Sequence, residues 1–304
     1  MAASRPPALA YVAWVAVCLI WGTTYLAILI ALETVPPTLL GGLRFLAAGL
    51  LLCLIVRIRG HRLPPVPEWP RQAALGALML GIGNGGVVWS ELWIPSGIAA
   101  VSVAALPFWM AGSEAVMRRE GIALRVIVGL AVGFSGIVLL IWPSLFVTDV
   151  SGARFGLGVL LVQAACLAWA VGSSWSKHTP SVTNVVAASA LQQLFAGLML
   201  TVLGTVLGEW NQLSFTPRTA AAQAYLIAFG SLIAYSAYLY TLEHLPMTTV
   251  SLYAYINPII AVLLGALFAG EPLTPRIAAA AAIVLAGVTI VRTSTVRKSS
   301  RGGP

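Results

Sequence analysis

Arg44 and Glu91 each place a charge inside a long apolar run, and these are the side chains whose types and positions ask most clearly for a chemical role. An ionisable group in hydrocarbon costs at least about 2.5–3.5 kcal/mol on insertion scales, so it normally faces a cavity or a partner. Arg44 falls near the start of the run 38–57 and Glu91 near the end of the run 72–92, at similar depths. The expectation is an Arg44–Glu91 pair or network in the outer half of a cavity. The plainer alternative has Arg44 snorkelling outward and Glu91 simply lying at an interface. Glu91 is also the carboxyl best suited to take up and release a proton. Glu114 needs no such role, because Arg118 one turn on offers an i,i+4 partner.

Asn84 stands among Gly81, Gly83, Gly85 and Gly86. The string GIGNGG satisfies G-x-G-x-x-G, but a dinucleotide site also needs a preceding strand and a βαβ unit, which an apolar run does not supply. Close packing or local unwinding is the expected use of these glycines, with the Asn84 amide turned to the interior. Trp21, Tyr235, Tyr255 and Asn257 form a second group of candidate solute contacts. Aromatics near run ends, such as Trp93, Trp142 and Tyr240, are expected in an interfacial belt instead. Pro107 and Pro258 each fall inside a run, where a missing N–H and a ring clash bend a helix. They are hinge candidates, with rigid bends as the alternative.

The elements that must position these residues follow from composition. The 304-residue chain is 59% hydrophobic and 9% charged, with a mean hydropathy of +0.93. Globular proteins carry about 25% charged residues, so this chain cannot cover a water-facing fold. Runs of about 20 apolar residues suit a hydrocarbon core about 30 Å thick. Ten are expected, near 10–31, 38–57, 72–92, 97–117, 123–142, 155–176, 183–207, 219–242, 247–269 and 274–292. They are too long and too continuous for barrel strands, so the expected fold is an all-α membrane protein. The first run is read as an uncleaved helix rather than a signal peptide.

The net charge of +8 is distributed along the chain in a way that argues against nucleic acid. Arg57, Arg59, Arg62 and Arg71 share one connection, Arg118, Arg119 and Arg125 another, and Arg292, Arg297, Lys298 and Arg301 the end of the chain. With Arg5 and Lys177 they fall on one side, and only Arg154, Arg218 and Arg276 fall on the other. The positive-inside rule then puts both termini in the cytoplasm.

The sequence also repeats. Pro95 recurs as Pro246, Pro107 as Pro258, Glu120 as Glu271, Arg125 as Arg276 and Gly136 as Gly287, all at one offset of 151. At a slightly shorter offset AVCLIW ending at Trp21 answers AACLAW ending at Trp169, and Arg44 answers Gln192. Each copy holds five runs, and an odd number inverts the second copy across the membrane. Inverted repeats of this kind mark secondary transporters. The expected division is an N-terminal segment 1–9, a first repeat 10–142, an external linker 143–154, a second repeat 155–292 and a disordered basic tail 293–304. Positions where the copies differ, Arg44 against Gln192 and Asn84 against Tyr235, are the sharper candidates for solute contact.

WGTTYLAI, LRFLAAG, GNGGVVWSELWIPSGIAAVSVAALP and SLYAYINPIIAVLLGALFAGEPLT together resemble the EamA-type permeases of the drug/metabolite transporter superfamily, in the YedA-like subgroup. The resemblance runs from about Tyr11 to Val291. It implies ten helices in two inverted five-helix repeats, a central cavity, and export of amino acids or other small metabolites across a bacterial inner membrane.

Other classes lack their marks. Lys177 and Lys298 do not follow glycine, so no Walker A loop is present, and no Gly-x-Ser-x-Gly occurs. His61, His178 and His244 are read as loop residues without metal spacing, and Cys18, Cys53 and Cys166 show no Cys-x-x-Cys. No cofactor or metal is expected. The expected partners are a small-molecule substrate, the lipid bilayer and protons as a candidate coupling ion, with no nucleic acid and the oligomeric state left open. An integral-membrane enzyme or a non-transporting scaffold or sensor is the alternative.

Overall fold

The computed structural model describes residues 6–94, 99, 102–141, 153–260 and 275–301, and every regular element among them is helical. Helix α1 spans Ala8–Ala31 and α2 spans Pro37–Ile58. Pro37 opens α2 where a missing N–H has no intrahelical partner to lose. The next rod is composite: α3 (Trp69–Gly76), a π-helical stretch Ala77–Asn84, and α4 (Gly85–Ser90). Then come α5 (Leu106–Arg118), α6 (Leu124–Ile141), α7 (Ala153–His178) and α8 (Val185–Val206). A second composite rod repeats the first one's construction, with α9 (Pro217–Tyr225), a π-helical stretch Leu226–Ile233 and α10 (Ala234–His244). Helix α11 (Met247–Val250), a helical stretch over 253–260 and α12 (Pro275–Arg301) complete the described chain.

Six stretches are long and apolar enough to cross a membrane: Ala8–Leu32, Pro37–Ile58, Val66–Ser90, Arg154–His178, Val185–Val206 and Pro217–His244. Two shorter apolar helices, Leu124–Leu139 and Pro275–Val291, fall on the expected runs 123–142 and 274–292. The expected runs 97–117 and 247–269 lie partly outside the described residues, as do Pro95, Trp142, Glu271 and most of the linker 143–154. Large apolar side chains cover the outside of the bundle. Leu26 is 61% exposed and Val202 is 55% exposed, which suits lipid rather than water.

Small residues set the closest approaches. Helix α2 packs most extensively on α8. A Cβ on Gly49 would lie 2.5 Å from Leu194 N, and one on Gly197 would overlap the backbone of Leu46. Helix α6 packs in the same way on α12, where a Cβ at Gly136 would lie 2.8 Å from Val284. Backbones that approach this closely gain dispersion contacts that lipid cannot supply.

Two carboxylates, Glu209 buried and Glu68 partly exposed, clasp the helix starts. Glu209, after α8, accepts from Leu39 N at 2.8 Å and Thr38 N at 3.3 Å, at the first turn of α2. Glu68, before α3, accepts from Ser181 Oγ at 2.8 Å and Val182 N at 3.2 Å, just ahead of α8. Each half therefore holds the helix start of the other. Exposed amide donors and the helix dipole both favour a carboxylate at such a position. Glu209→Ala is expected to lower stability by about 1–2 kcal/mol, read as an earlier melt of the solubilised protein. An unchanged melting curve would contradict this role.

Three expectations change. Pro107 sits in the first turn of α5, after a break at 104–105, so it starts a helix rather than bending one. Pro258 lies within the helical stretch 253–260, so matched prolines have unlike surroundings. The basic tail is helical through Arg301, because no proline or glycine interrupts it before Gly302 and basic side chains suit a helix C-terminus.

Candidate functional site

A cavity of about 90 Å³ lies inside the bundle, between α1, α2, the rod 69–90, α7 and the stretch 253–260. Trp21, Thr24, Tyr25 and Ile28 reach it from α1, spaced three and four apart as one helix face requires. Gly83, Asn84, Val87 and Val88 do the same from the rod, beginning at the end of its π-helical stretch. Such local widenings of a helix recur at functional sites. Here the widening ends at Asn84, and Gly83 lets the Trp169 ring approach: a Cβ there would lie 3.0 Å from it. Cys166 and Trp169 come from α7, and Tyr253 and Asn257 complete the wall.

Arg44 is the charged residue among the described lining. Its side chain is 3% exposed, and Nε donates to Ser231 Oγ at 2.7 Å. Nη1 has no partner. Gly230 makes room for the guanidinium, since a Cβ there would lie 2.7 Å from Nη2. The Gly230 carbonyl also accepts from Trp21 Nε1 at 3.1 Å. The second π-helical stretch therefore steadies both a cation and an indole at the cavity edge.

The cavity ends on an aromatic floor. The Trp21 ring meets Trp169 edge-on at 5.5 Å between centroids, Tyr253 edge-on at 5.0 Å and Tyr238 at 5.1 Å. Tyr238 is locked from below, accepting from Trp169 Nε1 at 2.9 Å and lying 2.6 Å from Ser173 Oγ. With its amide turned so that Nδ2 faces the carbonyls, Asn257 donates to Tyr253 O and Cys18 O at 3.0 Å each. It ties the wall to α1, using the carbonyl of Tyr253 rather than the Ala254 carbonyl that Pro258 frees.

The structure brings four of the expected residues together at the cavity: Trp21, Arg44, Asn84 and Asn257. Glu91 is one turn beyond Val87 and does not border it. No ion pair joins Arg44 to Glu91 among the described residues. Arg44 turns to Ser231 instead, and Glu91 Oε2 is buried without a partner. Tyr235 lies behind the wall, its hydroxyl donating to Gln192 Oε1 at 2.6 Å. Tyr255 packs on α6 against Gly133, its hydroxyl donating to Leu130 O at 2.9 Å. Tyr255→Phe is therefore expected to cost about 1 kcal/mol of stability and to leave function at the cavity unchanged. A large functional loss at normal expression would place Tyr255 in the site after all. Glu114 pairs with Arg118 at 2.9 Å, as its spacing implies, and with His178 at 3.0 Å. His178 and His244 close α7 and α10 rather than lying in loops.

Tyr25, Cys166 and Trp169 are wall residues that sequence reasoning left out of the site. Recurrence held the signal for two of them, since Cys18 and Trp21 answer Cys166 and Trp169.

An all-helical apolar bundle around a small interior cavity defines a polytopic membrane protein. The model of the EamA-like transporter family matches residues 8–142 and again 156–293. The chain belongs to that family, and its broad function is that of a membrane transporter. It is 36% identical over 281 residues to YedA of Escherichia coli strain K12, described as an uncharacterized inner membrane transporter, covering 91% of this chain and 88% of that one. A probable amino-acid metabolite efflux pump of Salmonella typhimurium is 25% identical over 298 residues, covering 94% and 95%. A solved crystal structure shares the fold with a TM-score of 0.79 at 20% identity, covering 97% of this chain and 99% of that one.

Proposed function

We propose that this protein is a secondary transporter of the bacterial inner membrane that exports a small amphipathic metabolite, such as an amino acid or related compound, by alternating access. Ten spans in two inverted five-span repeats, with both termini cytoplasmic, give the scaffold. The observation that carries this reading is a cavity lined from both family matches and holding a buried, incompletely bonded Arg44. An ionisable group kept at that cost inside a membrane normally serves a solute pathway. The cavity lies between the aromatic floor and the end of the bundle where Trp89 Nε1 donates to Thr38 Oγ1. Export then requires the Trp21–Trp169–Tyr238–Tyr253 floor to part while the opposite end closes.

Pro107 and Pro258 are the proposed hinge points. Turns at 104–105 and 251–252 interrupt the helices near these prolines, and each proline removes one backbone donor. Glu91, whose Oε2 is buried without a hydrogen bond, is the proposed proton carrier. The names of the E. coli and Salmonella relatives support the membrane and the solute class.

Reconstituted protein screened against a broad set of small metabolites, with and without a proton gradient, tests this function. Flux of at least one solute is expected, with gradient-driven accumulation lost in Glu91→Gln. Absence of flux for every solute would overturn the transporter reading. Gradient dependence equal to wild type in Glu91→Gln would remove the proton role alone.

A further inference from the structure

The transported solute has a charge that the cavity itself specifies. Arg44 contributes one positive charge, nine-tenths buried and more, and one guanidinium edge is already committed: Nε to Ser231 Oγ at 2.7 Å. Nη1 remains with no partner at all. A neutral hydrogen-bond acceptor from the protein would have satisfied it at little cost, yet none is placed on it. The side chains facing Arg44 across the space are Trp21, Thr24, Asn84 and Asn257, with Val87 and Val88 beside them. None is ionised. No Asp or Glu occurs among the described residues lining the cavity.

We propose that the solute is a small organic monoanion, its carboxylate pairing with the Arg44 guanidinium and its apolar or aromatic body lying against Trp21, Trp169 and Tyr253. This rests on the transporter reading above and narrows its substrate class from amino acids and related compounds to those that carry a carboxylate without an ammonium group. One uncompensated cation balances one anionic charge. The bound pair is then neutral, so a solute enters the low-dielectric interior without carrying net charge into it. A free amino acid would bring an ammonium group as well. The described wall offers that group ring faces and neutral oxygens such as the Asn84 amide, which are weaker partners for an ammonium than a carboxylate. A cavity of about 90 Å³ holds only a compact solute in this conformation, since drug-sized ligands occupy about 300–1,000 Å³.

The solubilised full-length protein is titrated with matched sets of small probes that share one body and differ in one group. Aliphatic and aromatic carboxylates are compared with their primary amides, their amines and the corresponding α-amino acids, with ligand-induced thermal stabilisation as the readout. The expected result is that at least one carboxylate binds at least ten-fold more tightly than its amide, amine and amino-acid counterparts. In Arg44→Gln that carboxylate loses at least ten-fold in affinity and its advantage over the amide disappears. The inference is overturned if no carboxylate stabilises the protein, if an amine or amino acid binds as tightly as the carboxylate, or if the preference survives in Arg44→Gln. Binding is measured without a membrane, so the outcomes separate: anion-selective binding without flux in liposomes sinks the transporter reading alone, and flux of cations or zwitterions sinks the anion assignment alone.

Discussion

Replacing Arg44 by methionine is expected to make the protein more stable and to abolish its transport. The two effects have one cause. Arg44 is almost wholly buried, and only its Nε is held, by Ser231, while Nη1 is unsatisfied. A buried charge with incomplete partners carries a desolvation cost that the fold does not recover, and an apolar residue of similar volume is often neutral or stabilising by about 1–4 kcal/mol. Methionine fills much of the same space between α2 and the second π-helical stretch, and it asks for no hydrogen bonds. Flux depends on the charge that stability does not need. Removing one partner of a buried, hydrogen-bonded charge pair costs about 2–5 kcal/mol, or roughly 30-fold to several thousand-fold in affinity. Melting curves in detergent and uptake into liposomes check the two halves on the same preparation. A variant less stable by several kcal/mol would show that Arg44 is structural, and wild-type flux in a stable variant would remove it from the solute path.

Gly197→Ala is expected to prevent assembly of the α2–α8 pair. A single methyl there would overlap the backbone nitrogen of Leu46, and backbone cannot rotate away as a side-chain tip can. Separating the helices enough to admit it would also open the contact at Gly49, 2.5 Å from Leu194 N for an added Cβ. Overpacking a closed interface typically costs about 1–3 kcal/mol and more where backbone must move. Gly85→Ala is the matched control, because a Cβ there meets only ordinary contacts, 3.8 Å from Leu200 and 3.9 Å from Leu80 O. Alanine at a helical glycine with room stabilises by about 0.4–1 kcal/mol. Fluorescence size-exclusion of the two variants should give aggregate or little protein for Gly197→Ala and a wild-type peak for Gly85→Ala. Equal peaks would contradict the close approach of α2 and α8.

Much of the helical layout was legible because a membrane imposes its own length and polarity on each segment. The run 10–31 became α1 and the run 38–57 became α2 almost residue for residue. Local interruptions were harder to read. Pro107 looks alike in sequence to Pro258, yet it opens α5, because the break at 104–105 comes from turn geometry that proline alone does not encode. The π-helical stretches were foreshadowed at GIGN, where unwinding was expected, but not at Leu226–Ile233, where Gly230 is the single glycine.

The site was legible where charge was concerned and less so where rings were. Arg44 was identifiable because a lone cation in an apolar run has few reasons to exist. Its partner was misjudged, since depth along a helix says nothing of which face a residue occupies: Arg44 turns to Ser231, while Glu91 lies beyond the cavity wall. Differences between the repeats pointed to Arg44 and Asn84, which border the cavity, and to Tyr235, which lies behind the wall. Agreement between repeats proved as informative, because the recurring tryptophans Trp21 and Trp169 meet at the cavity floor.

The central claim is that one cavity serves both sides of the membrane in turn. A single cysteine at Asn84, in a protein whose Cys18, Cys53 and Cys166 are replaced, tests it most directly. Membrane-impermeant thiol reagents are applied to vesicles of each orientation. The account predicts modification from both sides, with access from the floor side slowed when the floor is held shut. Reaction from one side alone, or from neither, would contradict it.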